Sequence, residues 1–417
     1  MNKKKSLTFG NAIMAFLILS FCAVCIIPII PQGYIRIVQM VATATLFLYM
    51  LLSLNQSNDI RKIGLGLIGY YVLILGYWGI GYSDASIGNY FYQITFFINI
   101  IAAFFCLRNI SLQYNIFIYY ILLLLISIHY LGDIVVGQRF QDYSMRELQE
   151  VGSNVIATSF STLSLVVFCF SLVVLLNTQH KTTKYIHLII VALNFYYIVF
   201  CGQRGSVVVL MLLALSLILY ERFFHKNNTK RSTYIGFIVV ASLLLFLFGD
   251  SIISLMIQLS PSDRLTARFE DLQGTMINGV NTASFSGRLT LSLLSIKTWL
   301  SSITTFLFGI GDHRLEGDWG MMGFYMSGIG GHSELIDSLA RYGIVGFSII
   351  AYLYYHICNY ILKQFKIVQI KNQIRAIIIT SVFIALTKGL FFPEIGIGLY
   401  LLLPLSSELL NEEKINI

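Results

Sequence analysis

The sequence predicts an all-α polytopic membrane protein with about twelve transmembrane helices and one large extracellular loop between spans 9 and 10. Three observations carry that prediction. Over 417 residues the composition is 57% hydrophobic and only 12% charged, with a mean hydropathy of +0.76, outside the range of soluble domains. The apolar residues fall in continuous runs, most of them near the ~20 residues that a helix needs to cross ~30 Å of hydrocarbon. The alternation of a β-barrel is absent, so helices are the arrangement that satisfies the backbone in lipid.

Taken in order, the first run, 10–30, follows Lys3-Lys4-Lys5 and has no evident cleavage site, as expected of a retained first span. Runs 34–54, 63–82, 90–107, 111–131 and 153–176 follow. Runs 185–202 and 206–220 are joined by the tight turn Cys201-Gly202-Gln203-Arg204-Gly205-Ser206, and 233–249 ends at Asp250. Residues 250–332 are polar and glycine-rich, and 335–361, 374–392 and 395–410 complete the series. An inward amino terminus places Arg61, Lys62, Lys181, Lys184, Lys226, Lys230, Arg231 and the cluster Lys363, Lys366, Lys371 and Arg375 in the cytoplasm, as the positive-inside rule requires. Both termini are then cytoplasmic and 250–332 faces out. The segment 289–310 is long enough to span, but that would turn Lys363 to Arg375 outward. Its apolar residues recur at 289, 293, 296, 300, 303 and 307, a one-sided stripe, so it is expected to lie as an amphipathic helix on the outer face.

The chain reads as a single integral membrane domain, 1–417, with the loop 250–332 inserted. Its net charge of +8 fits a basic rim against anionic lipid and implies no nucleic-acid partner. Cys22, Cys25, Cys106, Cys169, Cys201 and Cys358 lie within or at the ends of apolar runs, without a ligand cluster, so they read as small buried hydrophobes and no metal is expected.

Outward-facing cations are the residues to explain. Arg204 is either an interfacial anchor or an anion clamp, its planar fork suited to phosphate oxygens and its flanking glycines allowing close approach. Arg288 opens the 289–310 helix, where the macrodipole disfavours a cation and a bound anion relieves the conflict; a solvated loop arginine is the plainer alternative. Arg264 and Arg268 stand i, i+4 beside Asp263, Glu270 and Asp271, a spacing that internal salt pairing also explains. With Arg314 and Arg341 they are further candidates for substrate contact. His332 ends a loop containing Gly317, Gly320, Gly323, Gly328, Gly330 and Gly331, and an imidazole can take a proton from a hydroxyl at neutral pH. Glu334 and Asp337 lie within one turn, to orient it or to act as base themselves. His313 ranks lower, and His129, His187, His225 and His356 read as structural. No nucleotide fingerprint is present, so any donor is expected to arrive already activated and carried by lipid.

The strings Arg268-Phe-Glu-Asp-Leu, Ser286-Gly287-Arg288, Leu307-Phe-Gly-Ile-Gly311 and His332-Ser-Glu-Leu-Ile-Asp-Ser-Leu-Ala-Arg-Tyr-Gly-Ile-Val-Gly346 resemble the bacterial O-antigen ligase/polymerase superfamily. Within it, the chain looks most like a Wzy-type capsule or exopolysaccharide polymerase. The likeness covers about 268–347, together with Arg204 in its turn, and is topological elsewhere. The resemblance implies a membrane glycosyltransferase of the C type in the bacterial cytoplasmic membrane. It would join undecaprenyl-diphosphate-linked repeat units, donor and acceptor, by inverting transfer without metal or other cofactor. Carried over, Arg204 and Arg288 would hold the donor diphosphate and His332 would orient or deprotonate the acceptor hydroxyl. Ser333-Glu334 departs from the family's usual residues after that histidine, which brings Glu334 into consideration for the base role. Chain-length regulator and flippase proteins are the partners such a polymerase implies. A ligase of the same superfamily is the near alternative. A lipid-linked oligosaccharide flippase is the non-enzymatic one, though no internal repeat relates 1–210 to 211–417.

Overall fold

The computed structural model describes residues 9–26, 32–53, 57–81, 87–139, 158–201, 205–223, 283–311, 333–387 and 393–412, with isolated positions between 254 and 273 and Ile329. The elements among the described residues are helices: α1 Phe9–Ile26, α2 Gln32–Ser53, α3 Asn58–Gly79, α4 Ile87–Asn109, α5 Leu112–Arg139, α6 Thr158–Asn177 and α7 Lys181–Tyr196. A π-helical turn, Tyr197–Cys201, extends α7. Then come α8 Gly205–Phe223, α9 Ala283–Trp299, α10 Ile303–Phe308, α11 Glu334–Gln364 and α12 Val368–Thr387. The last rod is α13 Pro393–Gly396, a π-helical stretch Ile397–Leu402, and α14 Leu403–Glu412. Among the described residues, α3, α11 and the segments 112–132, 160–177 and 181–199 are long and apolar enough to cross a membrane. The predicted span 233–249 lies outside the described residues.

The helix at the centre of the bundle is α6. Its run Ser159-Phe-Ser-Thr-Leu-Ser-Leu-Val-Val-Phe-Cys-Phe is apolar or small on every face, which is the pattern of a helix surrounded by others. Its apolar stretch is 83% buried, against 28–44% for the other four, and it touches α7, α8, α12, α13, α14 and both π-helical turns. Outer helices instead expose large apolar side chains: Phe16, Leu52, Val72, Phe117 and Ile189 are 58–72% exposed. A belt of that kind suits lipid and would aggregate a soluble protein, so the fold is that of a helical membrane protein.

Polar contacts sort the helix ends into two rims. At one, Lys363 pairs with Asp59 (2.5 Å), Arg222 Nη1 donates to Asn177 Oδ1 (3.1 Å), Asn177 Nδ2 to Gln373 Oε1 (2.7 Å), and Asn115 Nδ2 to Glu408 Oε1 (3.0 Å). These residues lie near the starts of α3, α5 and α12 and near the ends of α6, α8, α11 and α14, as expected of helices that run up and down. The same rim carries the basic cluster from Lys363 to Arg375. At the opposite rim lie the end of α3, the π-helical end of α7 and the starts of α6 and α11.

Two predicted elements are divided. The run 289–310, expected as one helix, is α9 and α10 with a turn between them. Ser302 caps α10: its hydroxyl accepts from Thr305 N (3.1 Å) while Thr305 Oγ1 accepts from Ser302 N (3.0 Å), so the Ser- and Thr-rich segment starts a new helix. Leu293, Leu300 and Ile303 of the predicted stripe are 53%, 58% and 81% exposed, an apolar face left open to the surroundings. The helix α11 breaks at Gly343, whose φ of 61° and ψ of −169° belong to a region open essentially to glycine. Beyond the break, 344–364 is long enough to span by itself.

Candidate functional site

The break in α11 is filled from elsewhere in the chain. Ala340 and Arg341 carbonyls, freed from the helix, accept from Ile310 N (2.9 Å) and Gly311 N (2.8 Å). The Tyr77 hydroxyl, at the end of α3, donates to Phe308 O and lies 3.5 Å from Tyr342 O, with its ring edge-on to that of Tyr342. The two backbones cross too closely for side chains. A Cβ on Gly309 would stand 2.3 Å from the Arg341 carbonyl, and one on Gly343 would stand 2.3 Å from Leu307 O. Both glycines also have positive φ, 72° and 61°. The motifs Leu307-Phe-Gly-Ile-Gly311 and Ala340-Arg-Tyr-Gly343 are therefore two halves of one junction.

One turn back, α11 begins with a layered cap. Ser333 is extended (φ −134°, ψ 108°); its Oγ accepts from Ile336 N (3.3 Å) and reaches Ala385 O on α12 (3.4 Å). The carboxyl of Asp337 folds back so that Oδ2 accepts from Ser333 N (3.0 Å), the reciprocal bond of a capping box made from one position further along. Its other oxygen, Oδ1, accepts from Ser295 Oγ of α9 (2.7 Å). Asp337 is 3% exposed and Ser295 is fully buried. Burying a carboxyl is costly unless it is hydrogen-bonded, and here each oxygen has a donor. Glu334, the first residue of α11, is half-buried beside it, and carboxylates in a first turn suit the helix dipole.

The sequence-derived candidates fall into three groups. Glu334 and Arg341 lie on the same short helical segment ahead of Gly343, and Arg341, half-buried, gives its carbonyl to Gly311. Arg288 lies in α9, seven residues before Ser295; a seven-residue step returns to the same helix face about 10 Å away. Its side chain lies outside what is described, as do Arg204, Arg264, Arg268, Arg314 and His332 altogether. The structure thus brings the helix of Arg288 onto the helix that His332 precedes. Sequence reading missed Ser295 and Tyr77. Ser295 was legible only as a hydroxyl on the face opposite the apolar stripe. Tyr77 was hidden among the aromatic residues of an ordinary span.

At the same rim, aromatic rings pack around the end of α5, the start of α6 and the π-helical end of α7. His129 lies against Phe160 with centroids 3.9 Å apart, and Tyr130 stacks on Tyr197 at 4.4 Å. The Tyr130 hydroxyl donates to Phe160 O (3.4 Å). Tyr197 starts the π-helical turn that leads into Gly202-Gln203-Arg204, a local irregularity of the sort frequent beside functional sites. His187, buried at the other rim with Nε2 3.4 Å from Tyr119 Oη, packs as a structural residue.

Among the described residues no three His, Cys, Asp or Glu side chains gather as a metal site, and none of the five cysteines with described side chains is in a disulfide. No family model matches the chain and no curated protein matches it.

Proposed function

We propose that the protein is a polysaccharide polymerase of the cytoplasmic membrane. It joins lipid-diphosphate-linked oligosaccharide repeat units at the extracytoplasmic face by metal-independent, inverting glycosyl transfer. The observation that carries this reading is the junction at the rim opposite the basic cluster. There Leu307–Gly311, the α9 helix of Arg288, and the start of α11 after His332 meet through backbone pairing and the Asp337 carboxyl. Those are the segments through which the chain resembles the O-antigen ligase/polymerase superfamily.

The chemistry asks for such an arrangement. Cleaving the sugar–diphosphate bond leaves charge on a diphosphate at the membrane surface, and fixed guanidinium groups of Arg204 and Arg288 would stabilise it as it develops. A base at His332, or at Glu334, takes the proton of the attacking acceptor hydroxyl, and attack opposite the diphosphate inverts the anomeric centre. Arg264, Arg268, Arg314 and Arg341 supply further cations for the glycan or its phosphates. The isoprenoid tail lies in lipid along the exposed apolar belt. Both termini are cytoplasmic in this reading.

The test is glycan chain length in a deletion strain carrying wild type, Arg288→Ala or His332→Ala, with membrane abundance matched. Single repeat units with both variants are expected. Long polymer with either one would remove that residue from the site. Repeat units trapped facing the cytoplasm would make the protein a flippase.

A further inference from the structure

We infer that Asp337 is the positioning residue of this reaction centre, the group that fixes the backbone beside His332 to the helix that carries Arg288. The inference rests on the glycosyl-transfer reading above and names a part of the site which that reading leaves unassigned.

The argument starts from what the carboxyl touches. Asp337 is 3% exposed, and its two oxygens are engaged in different directions: Oδ1 by Ser295 Oγ on α9 (2.7 Å), Oδ2 by Ser333 N (3.0 Å). A carboxyl so enclosed is poorly placed to reach a substrate hydroxyl, which leaves proton transfer to His332 or Glu334. What it does hold is informative. Ser333 is bonded covalently to His332, and its amide is fixed by Oδ2. Ser295 stands on the Arg288 face of α9, two turns away. One side chain therefore ties the element bearing the proposed base to the element bearing the proposed diphosphate clamp. Ser333 adds a third tie, to Ala385 of α12.

This tie is separable from the stability of the fold. One turn beyond Asp337, α11 is independently held to the α9–α10 segment by Ile310 N to Ala340 O, Gly311 N to Arg341 O, and the Tyr77 hydroxyl on Phe308 O. Removing the Asp337 bridge leaves that junction in place. The expected result is displacement of the reacting groups, and a displacement near 1 Å is enough to slow a reaction about 100-fold.

The test uses the full chain in its own host's deletion strain. Isolated membranes holding the host's lipid-linked repeat units are the assay material, and the rate of polymer formation is read across the neutral pH range. Asp337→Asn keeps the shape but turns one acceptor oxygen into an amide donor and removes the charge, so Ser295 Oγ and Ser333 N can no longer both donate to it. It should lower the rate roughly 10- to 100-fold, with unchanged membrane abundance, a drop in melting temperature too small to unfold the protein at the assay temperature, and the same shape of pH profile. Ser295→Ala should slow the reaction in the same way but less, Ser295→Thr should restore it, and Ser295→Ala with Asp337→Asn should be no worse than Asp337→Asn alone. A wild-type rate in Asp337→Asn overturns the inference. So does an altered pH profile, which would make Asp337 the base, or a loss of polymer matched by loss of folded protein. If His332→Ala and Arg288→Ala both polymerise normally, the glycosyl-transfer reading fails and takes this inference with it. If those two abolish polymer while Asp337→Asn does not, only the inference falls.

Discussion

At the scale of single residues, two glycines and one tyrosine govern the junction between α10 and α11. Gly309 and Gly343 each combine a positive φ with a backbone contact that leaves no room for a methyl group. Alanine at either position incurs about 1–3 kcal/mol of backbone strain together with a clash of similar size. Gly343→Ala and Gly309→Ala should therefore lower the unfolding temperature in detergent markedly, with less protein recovered from membranes. An unchanged melting curve would mean that the crossing at 307–309 and 341–343 is not made. Tyr77→Phe is a milder probe. It removes one hydroxyl donor from the Phe308 carbonyl and leaves the ring packed against Tyr342, so about 1 kcal/mol should be lost. From sequence, Gly343 was visible as part of a motif. Its reason was not, because the partner backbone lies more than thirty residues away in the chain.

At the scale of elements, the α9–α10 pair carries polar business on one face and apolar surface on the other. Ser295 turns inward to Asp337, while Leu293, Leu300 and Ile303 remain exposed. Trp299 holds the bend between the helices: Nε1 donates to Phe306 O (3.1 Å) and the rings stack at 5.1 Å. An indole with a donor at one end and an apolar body suits the membrane–water boundary. Ile303→Asp and Leu300→Asp place charges on the apolar face without touching Ser295. If the pair seats on lipid and the protein polymerises glycans as proposed, both should lower polymer formation while the bundle's melting temperature stays near that of wild type. Full activity in both would argue against a membrane-seated hairpin. The apolar period at 289–307 pointed to one continuous helix, but the break at Ser301-Ser302 depends on a cap formed in three dimensions.

At the scale of the whole molecule, the two rims give the topology something to be tested on. Lys181, exposed, starts α7 beside Asn177 at the basic rim, and Ser301, exposed, lies between α9 and α10 at the other. In a chain whose six native cysteines are replaced, Ser301→Cys should react with a membrane-impermeant maleimide in intact cells, and Lys181→Cys only after lysis. The reverse pattern would turn the proposed site to the cytoplasm. The exposed Lys363–Asp59 pair, although short, should matter little to stability, because surface ion pairs contribute at most about 1 kcal/mol. Much of this level was open to the sequence by itself. Apolar run length, the distribution of Lys and Arg, and the near-absence of charge within the runs determined a helical membrane protein, since in lipid each helix must satisfy its own backbone and bury its own charges. Tertiary structure alone decided which helix is central, that α11 breaks at Gly343, and that Ser295, Asp337 and Ser333 form one unit. Those outcomes come from close packing and hydrogen bonds between segments as far apart as Tyr77 and Phe308, and no local periodicity records which distant segment will fill a gap.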